Sequence, residues 1–247
     1  MTEEALSAAG MISILIFSLR RGRGKLQYLF RANRLLPPWN FVNWRVASKP
    51  LSEKTFHSDP IRQFHRWFRA AGRAGITEPN AMALATATGN AEPSVRMVLL
   101  KDVNAGGFVF FSNYDSRKAL ELRANPRAGL VFYWRELNRQ VRVTGRVAKL
   151  SARESSAYFS TRPVGSRFAA IASRQSSVIP SRAELEASYA EVAAQYPKGD
   201  PPRPPHWGGF CVQPDEIEFW QQGHHRLHDR LRYRRRGATW ILERLSP

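Results

Sequence analysis

The feature that most constrains this fold is a series of short strand-like runs separated by turn residues. Residues 82–88, 94–101, 107–112, 129–134 and 140–149 are rich in apolar and β-forming residues, with turn formers between them. Helices are few and lie between the runs. This pattern predicts a mainly β fold with peripheral helices, in which the strands form an antiparallel barrel.

The C-terminal part continues the same pattern. From Arg226 onward, cationic and apolar residues alternate with a period of two, which is typical of a strand. Side chains of one parity lie about 6.6 Å apart on one face of a strand. Arg226, His228 and Arg230 are therefore predicted to line one wall, with Leu227 and Leu231 behind it. Further strands are predicted through Phe210 and over residues 217–220, 226–234 and 239–245.

Helices are predicted where a capping residue precedes an apolar stripe. Asp59 can cap a helix that has Pro60 in its first turn and ends near Gly72 and Gly75. Other helices are predicted from Ser116, from Ser151 with Glu154, and from Ser181 with Glu184.

The histidines near residue 225 raise the alternative of a metal site. A zinc-protease motif would need His224 and His228 on adjacent helical turns and a glutamate after the first. His225 stands there instead, and Gly223 disfavours a helix. We predict no metal site. An edge strand carrying only solvated charges remains a second interpretation.

The charge balance points towards anionic ligands. The chain has 247 residues, with 38 Lys and Arg, 20 Asp and Glu and a formal net charge of +18. Such a charge favours nucleic-acid binding, yet the arginines are scattered and no helix-turn-helix, zinc-finger or RNP-type pattern occurs. The single cysteine, Cys211, excludes an internal disulfide and favours a reducing compartment, the cytoplasm.

The N-terminal part differs from the rest. The apolar run at residues 11–19 is too short to span a membrane, and its flanking charges have the wrong order for a secretory signal. We interpret residues 1–55 as a basic extension, partly disordered, or as a translation start placed too early. The folded domain is expected at residues 56–247, without a membrane span.

Several cationic groups lie beside predicted strands or helix starts. Arg96 and Lys101 have opposite parity, so they should face opposite sides of one strand. Arg117 and Lys118 follow Ser116 in a first helical turn, where free backbone N–H groups favour an anion. A solvated helix start is the alternative for this pair.

Two further segments could donate hydrogen bonds to phosphate oxygens. Tyr158, Arg162 and Ser166 gather around a predicted helix end, and Gln175 and Ser176 follow an apolar stretch. Together with the cations they imply more than one anionic site, each charge-assisted bond contributing roughly 1.5–3 kcal/mol. No nucleophile–base arrangement is evident, so a cofactor would supply the difficult chemical step.

Motifs carry a resemblance to a known family. RMVLLKD, FFSNYDSRKA, NRQV, YFSTRPVGS, SRQSS, WGGF and IEFWQQGHHRLHDR occur in this order over about residues 59–247. The chain resembles the pyridoxine (pyridoxamine) 5′-phosphate oxidases. The resemblance implies an FMN-binding split antiparallel β-barrel and a homodimer with FMN at the subunit interface. It also implies hydride transfer from the substrate C4′ to the flavin, with oxygen as the final acceptor.

The resemblance also assigns residues, by their numbers in this chain. Arg226 and His228 would be catalytic: Arg226 would press the substrate ring towards the flavin and stabilise charge near C4′, and His228 would hold the ring hydroxyl. The implied FMN contacts are Arg96, Met97, Val98, Leu99, Leu100, Lys101, Phe111, Ser112, Arg117, Lys118, Gln140, Gln175, Ser176, Trp220 and Arg230. The implied substrate contacts are Lys101, Tyr158, Arg162, Ser166, Arg226, Leu227 and His228.

Two other functions stay open at this point. The family's N-terminal segment that folds over the substrate has no clear match before Asp59, which favours a flavin-binding relative with an altered substrate. The charge leaves a basic nucleic-acid-binding protein as the other alternative.

Overall fold

The computed structural model describes residues 49–247, which form one antiparallel sheet with helices around it. The strands are β1 Ala81–Ala87, β2 Pro93–Leu99, β3 Asp102–Asn104, β4 Gly107–Asn113, β5 Arg127–Trp134, β6 Arg139–Lys149, β7 Trp207–Gln221, β8 Asp229–Arg236 and β9 Thr239–Arg244. The helices are α1 Pro60–Arg73, α2 Arg117–Ala124, α3 Ala152–Ser160, α4 Val164–Ala172 and α5 Arg182–Gln195. The prediction of a mainly β fold with peripheral helices is confirmed.

The long strand β7 organises the sheet. The strand order is β2-β1-β5-β6-β7-β4-β3, and β8 with β9 joins at β7. One edge of β7 pairs with β6, whereas the other edge pairs first with β4 and then with β8. The register between β6 and β7 shifts at Thr144/Gly145, where a Cβ on Gly145 would lie 2.0 Å from the Gln213 carbonyl oxygen. Such a bulge bends the strands and lets the sheet curl.

One face of this sheet is the hydrophobic core. Alternate residues of β5, β6 and β7 are almost fully buried, as period-two patterning requires. Helix α1 covers this face: the ring of Phe64 lies 4.9 Å from that of Phe108, and the ring of Trp67 lies 5.0 Å from that of Phe219. Each such aromatic side chain contributes roughly 1.5–3 kcal/mol through burial. Asp59 caps the helix, as predicted, by accepting a hydrogen bond from Ile61 N at 2.8 Å.

The opposite face of the sheet exposes apolar side chains. Val95, Met97 and Tyr133 are 69%, 65% and 59% exposed. In the strand pairing, Met97 lies opposite Ala83, which lies opposite Val131. Directly paired residues point to the same face. An apolar surface therefore extends across β2, β1 and β5, and we call it the outer face.

The prediction that a strand begins at Arg226 is wrong. His224–Arg226 form a 3₁₀ turn with left-handed backbone at His225 (φ 52°) and Arg226 (φ 64°), and β8 begins at Asp229. Gly223 makes this tight turn feasible, because a Cβ there would lie 1.8 Å from the Leu227 carbonyl oxygen. The single wall of Arg226, His228 and Arg230 therefore does not exist, since only Arg230 lies on the strand.

Other boundaries also differ. Because β2 ends at Leu99, strand parity does not fix the side of Lys101, and the predicted opposition to Arg96 fails. One strand replaces the two predicted around Phe210 and residues 217–220, and β3 and α4 were not predicted. Ser151 with Glu154 forms the predicted capping box, whereas Ser116 precedes α2 without a capping bond from its side chain.

The predicted extension lies largely outside the described residues. Of residues 1–55, only 49–55 are described; there Lys49 O accepts a hydrogen bond from Gln221 Nε2 at 3.0 Å, and Leu51 N donates to Asp229 Oδ2 at 2.9 Å. The domain boundary at residue 55 and the cytoplasmic location stay predictions. Within residues 49–247, no helix has the length and apolar character needed to cross a membrane.

Candidate active site

A cavity of about 830 Å³ opens between β2, β4, α2 and the α3–α4 connection. This volume is within the range typical of small-molecule sites. Residues from distant parts of the sequence line it together, including both Arg96 and Lys101. The sequence-predicted residues on its wall are Arg96, Met97, Val98, Leu99, Lys101, Phe111, Ser112, Lys118, Tyr158, Arg162, Ser166 and Gln175.

Behind the cavity wall, Glu121 is a buried carboxylate, only 4% exposed. Its oxygens accept hydrogen bonds from Thr86, Ser94, Arg96 and Arg117. Burial by itself raises the pKa of Glu121, but these hydrogen bonds outweigh it and lower the pKa to about 2. Glu121 is therefore ionised throughout the physiological range.

Lys118 is the buried cation of this cluster, 8% exposed. Its Nζ donates to Gln175 Oε1 at 2.8 Å, and Ser112 Oγ donates to the same oxygen at 3.1 Å. Burial and then the charge of Arg96 lower the pKa of Lys118 to about 8, while Glu121 acts in the opposite direction. The cluster of Arg96, Arg117, Lys118 and Glu121 keeps two net positive charges when all four groups are ionised, which suits a phosphate dianion.

An aromatic stack forms another part of the wall. The Phe111 and Tyr158 rings are parallel with centroids 3.9 Å apart, and Trp207 continues the stack at 5.4 Å from Phe111. The Arg162 guanidinium lies 4.7 Å from the Trp207 ring centroid. Its Nη1 is buried without a hydrogen-bond partner among the described residues, and burial lowers the pKa of Arg162. A half-buried cation whose buried nitrogen has an unused donor is suited to an anionic ligand.

A second group of predicted residues lies on the outer face rather than on the cavity. Tyr133 pairs with Gln140, Gln140 with Trp220, and Trp220 with Arg230, so the four side chains form one row. Buried Glu218 holds Arg230 through two bonds, from Nε at 2.8 Å and from Nη2 at 3.2 Å. This row is continuous with the exposed apolar outer face.

The turn before β8 presents the remaining polar groups. His228 Nδ1 accepts a hydrogen bond from Gly223 N at 3.2 Å, so a neutral His228 carries its proton on Nε2 and can donate it to a ligand. The His228 ring lies 4.8 Å from the Trp220 ring. Arg226 and Leu227 are exposed, and among residues 49–247 the Arg226 guanidinium has no hydrogen bond, ion pair or ring contact.

Family models match both parts of this arrangement. Residues 68–196 match the pyridoxamine 5′-phosphate oxidase model. Residues 207–247 match that of the pyridoxine 5′-phosphate oxidase C-terminal dimerisation region. The chain belongs to the pyridoxamine 5′-phosphate oxidase family.

Curated relatives agree over most of the chain. The pyridoxine/pyridoxamine 5′-phosphate oxidase of Paraburkholderia phymatum is 55% identical over 206 residues, which cover 83% of this chain and 96% of that protein. The protein of the same name from Rubrobacter xylanophilus is 55% identical over 197 residues, covering 80% and 91%.

Two solved structures share the fold. PhzG from Burkholderia lata, in complex with tetrahydrophenazine-1-carboxylic acid, is 35% identical with a TM-score of 0.75 and covers 78% of this chain and 95% of its own. A pyridoxamine 5′-phosphate oxidase-related, FMN-binding protein from Nostoc punctiforme has a TM-score of 0.62 at 17% identity, covering 76% and 98%. The predicted split barrel is thereby confirmed.

FMN is the cofactor of the pyridoxamine 5′-phosphate oxidase family, and the residues present fit it. The net positive cluster at Lys118 and the Arg162 guanidinium, whose Nη1 has no hydrogen-bond partner among the described residues, could each donate to a phosphate group. Within residues 49–247, no three or more His, Cys, Asp or Glu side chains are grouped so that they could hold a metal ion.

Not every assigned residue reaches the cavity wall. Leu100 belongs to the buried core, and Ser176 is exposed with left-handed backbone (φ 74°). Arg117 also lies off the wall, but Glu121 connects it to Arg96, which is on the wall. The assigned residues that lie off the wall with them are Gln140, Trp220, Arg226, Leu227, His228 and Arg230.

Sequence reasoning missed Glu121, Glu218 and Trp207. For Glu121 a signal was present, because Arg117 and Glu121 have the i,i+4 spacing of a helical ion pair. Glu218 and Trp207 become visible only through cross-strand and loop contacts.

Proposed function

We propose that this chain oxidises pyridoxine 5′-phosphate or pyridoxamine 5′-phosphate to pyridoxal 5′-phosphate. Oxygen is the final acceptor, hydrogen peroxide is released, and the amine substrate also yields ammonia. The observation that carries this proposal is that one cavity has two sets of phosphate donors, one around Lys118 and one around Arg162. Two phosphorylated aromatic molecules could be held together in such a site.

The first set would hold the FMN phosphate. Arg96, Arg117 and Lys118 supply charge-assisted hydrogen bonds, and Ser112 adds a neutral donor. The wall from Met97 to Lys101 would lie along the cofactor. Bound FMN supplies the two-electron oxidation that no side chain of the chain can perform.

The second set would hold the substrate phosphate. Lys101 and Arg162 supply charge, and Tyr158 and Ser166 supply hydroxyl donors from α3 and α4. Stacking on Phe111 fixes the Tyr158 ring, so that little rotamer freedom is lost on binding.

A second copy of the chain would complete the site. The dimerisation region begins at residue 207, and the row of Gln140, Trp220 and Arg230 shares the outer face with exposed Met97 and Tyr133. Exposed apolar surface of this kind favours protein–protein contact. We infer that this row and the turn at Arg226–His228 reach the cavity of the partner copy.

Arg226 and His228 would then act on the substrate ring. Arg226 stabilises negative charge that develops near C4′ and holds the ring towards the cofactor. His228, with Nδ1 already engaged by Gly223, donates from Nε2 to the ring hydroxyl. Both residues align the reacting groups rather than form a covalent bond.

The test is an assay of purified, FMN-loaded protein with each phosphorylated vitamer, following peroxide and pyridoxal phosphate. Unphosphorylated pyridoxine is the matched control. Loss of the charge-assisted bonds to Arg162 and Lys101 should lower its kcat/KM by roughly 100-fold or more. Failure of both vitamers to give pyridoxal phosphate would contradict the proposal, and colourless protein with salt-sensitive nucleic-acid binding would favour the other class.

A second candidate is a related oxidase with a different aromatic substrate. The likeness to PhzG, solved with a tricyclic aromatic acid, motivates it. Tetrahydrophenazine-1-carboxylic acid belongs in the same assay. Turnover of this acid without turnover of either vitamer would select the second candidate.

A further inference from the structure

Glu121 is the only anionic member of the cation cluster, and like Arg117 it does not line the cavity. It is buried, yet it contacts two of the cations that face or adjoin the cavity. A buried carboxylate beside a phosphate site should repel the ligand, because both groups are negatively charged. Its presence there therefore needs an explanation from geometry.

We propose that Glu121 is a positioning residue that aligns Arg96 and Arg117 for the FMN phosphate. The inference rests on the proposed function, because it assumes that the FMN phosphate binds at this cluster. Glu121 acts only through its neighbours and does not itself contact the ligand.

The two carboxylate oxygens serve different arginines. Oε1 accepts from Arg117 Nε at 2.8 Å, and Oε2 accepts from Arg96 Nη2 at 3.2 Å. Arg96 belongs to β2 and Arg117 to α2, so one side chain fixes two cations that come from separate elements. Ordering a free arginine on ligand binding costs up to about 2 kcal/mol of rotamer entropy, which prior alignment avoids.

Further contacts hold Glu121 itself in place. Thr86 Oγ1 from β1 and Ser94 Oγ from β2 both donate to Oε2. Arg96 also donates to both hydroxyls, so the strands and the carboxylate form one connected network. Glu121 and Thr86 are buried, and every member of the network is connected to Glu121. Loss of one member should therefore displace the two arginines.

The charge of Glu121 also bears on Lys118. Burial and Arg96 lower the pKa of Lys118 to about 8, and Glu121 is the group that opposes this shift. Removal of the carboxylate charge should lower the pKa of Lys118 further, towards neutral pH. At pH 7 the cluster would then lose part of the lysine charge together with the arginine alignment.

The decisive variant is Glu121→Gln, which keeps the size of the side chain. At pH 7, FMN affinity measured by flavin fluorescence should fall roughly tenfold, equal to about 1.4 kcal/mol. Binding of riboflavin, which lacks the phosphate, should be unchanged, and inorganic phosphate should bind the apoprotein more weakly. Calorimetry in buffers of different ionisation enthalpy should show more proton uptake on FMN binding than in the parent.

Equal or tighter FMN binding by Glu121→Gln would overturn the proposal, because that is the result expected if the carboxylate only repels phosphate. Glu121→Asp separates the two effects: it keeps the charge but shortens the side chain, so affinity should fall without added proton uptake. Unchanged FMN affinity in the Asp variant would overturn the positioning role.

Lys118→Met distinguishes failure of this inference from failure of the proposed function. If Lys118→Met leaves FMN and riboflavin affinities unchanged, the phosphate does not bind at this cluster and the cofactor assignment fails. If Lys118→Met weakens FMN binding and Glu121→Gln does not, only the role of Glu121 is wrong.

Ser94→Ala is a second test variant, to be used if thermal unfolding shows that the Glu121 variants are not stably folded. This change removes one donor to Glu121 and leaves every charge in place. FMN affinity should fall roughly threefold with riboflavin unchanged, as expected for one lost hydrogen bond. No change in FMN affinity would overturn the proposal.

Discussion

The cation cluster around Glu121 and the turn from Gly223 to His228 both present arginines, but they differ in how these are held. In the cluster, Arg96 and Arg117 are bound to a buried carboxylate of the same copy. In the turn, Arg226 is exposed and follows left-handed backbone at His225. Its guanidinium has no hydrogen bond, ion pair or ring contact among the described residues.

This difference indicates which part of the site a single copy of the chain can form by itself. Contacts within the protein hold the geometry of the cluster, so it is suited to retain a cofactor. The turn stores backbone strain and leaves its cation free, which is typical of a segment that acts on a ligand held elsewhere. We therefore expect substitutions in the turn to affect turnover and substitutions in the cluster to affect FMN retention.

Arg226→Ala should have the largest effect. Because Arg226 supports no described side chain, folding and FMN content should be unchanged, whereas kcat/KM should fall roughly 10²- to 10³-fold through loss of charge stabilisation. The measurement is steady-state peroxide release together with flavin content. Arg236→Ala, an exposed arginine at the end of β8, is the matched control. Loss of flavin with preserved turnover in the loaded fraction would reverse the comparison.

Gly223→Ala should sharpen the comparison by displacing the turn. The added Cβ would meet the Leu227 carbonyl oxygen at 1.8 Å, so Arg226 and His228 must shift. A shift of about 1 Å should lower kcat/KM by roughly 10- to 100-fold while FMN binding stays intact. Gly72→Ala in α1, where nothing lies within 4 Å of an added Cβ, is the control. Equal turnover by both variants would show that the turn does not position the reacting groups.

Arg117→Ala should show the opposite pattern. Loss of one cation should weaken FMN binding roughly tenfold, with less than about a threefold change in kcat once FMN is saturating. Equilibrium titration with FMN separates the two quantities. Arg123→Ala, an exposed arginine of the same helix, is the control. A fall in kcat at saturating FMN, with an unchanged dissociation constant, would contradict the assigned role.

The smallest expected effect is the pH dependence of FMN affinity. The pKa of Lys118 is lowered to about 8 in the free protein, and a bound phosphate should raise it. Below that value the lysine is charged in both states and affinity is level; above it, binding must take up a proton and affinity falls. FMN should bind roughly fourfold more weakly at about pH 8.5 than at about pH 7. Lys118→Arg should remove this slope, because arginine keeps its proton; the same slope in that variant would exclude Lys118 as its source.

Sequence reasoning located most cavity residues but not their grouping. Motifs placed Arg96, Lys118 and Arg162 near phosphates. Strand parity predicted that Arg96 and Lys101 face opposite sides. This prediction failed because β2 ends before Lys101, and both residues line the same cavity. Similarly, the alternation of residues after Arg226 predicted a strand where the structure has a turn. A period of two in the sequence does not reveal that the backbone of Gly223 packs closely against Leu227.

The sequence by itself determined the class of fold and the family. Alternating apolar residues require a half-buried sheet, and the spacing of the motifs is readable without coordinates. Only the tertiary structure decided that Glu121 connects arginines of β2 and α2, that Glu218 holds Arg230, and that Gln140 and Trp220 share the outer face with Met97. The physical reason is that these contacts depend on strand register and on side-chain direction after curling, and neither is encoded in any local stretch of residues.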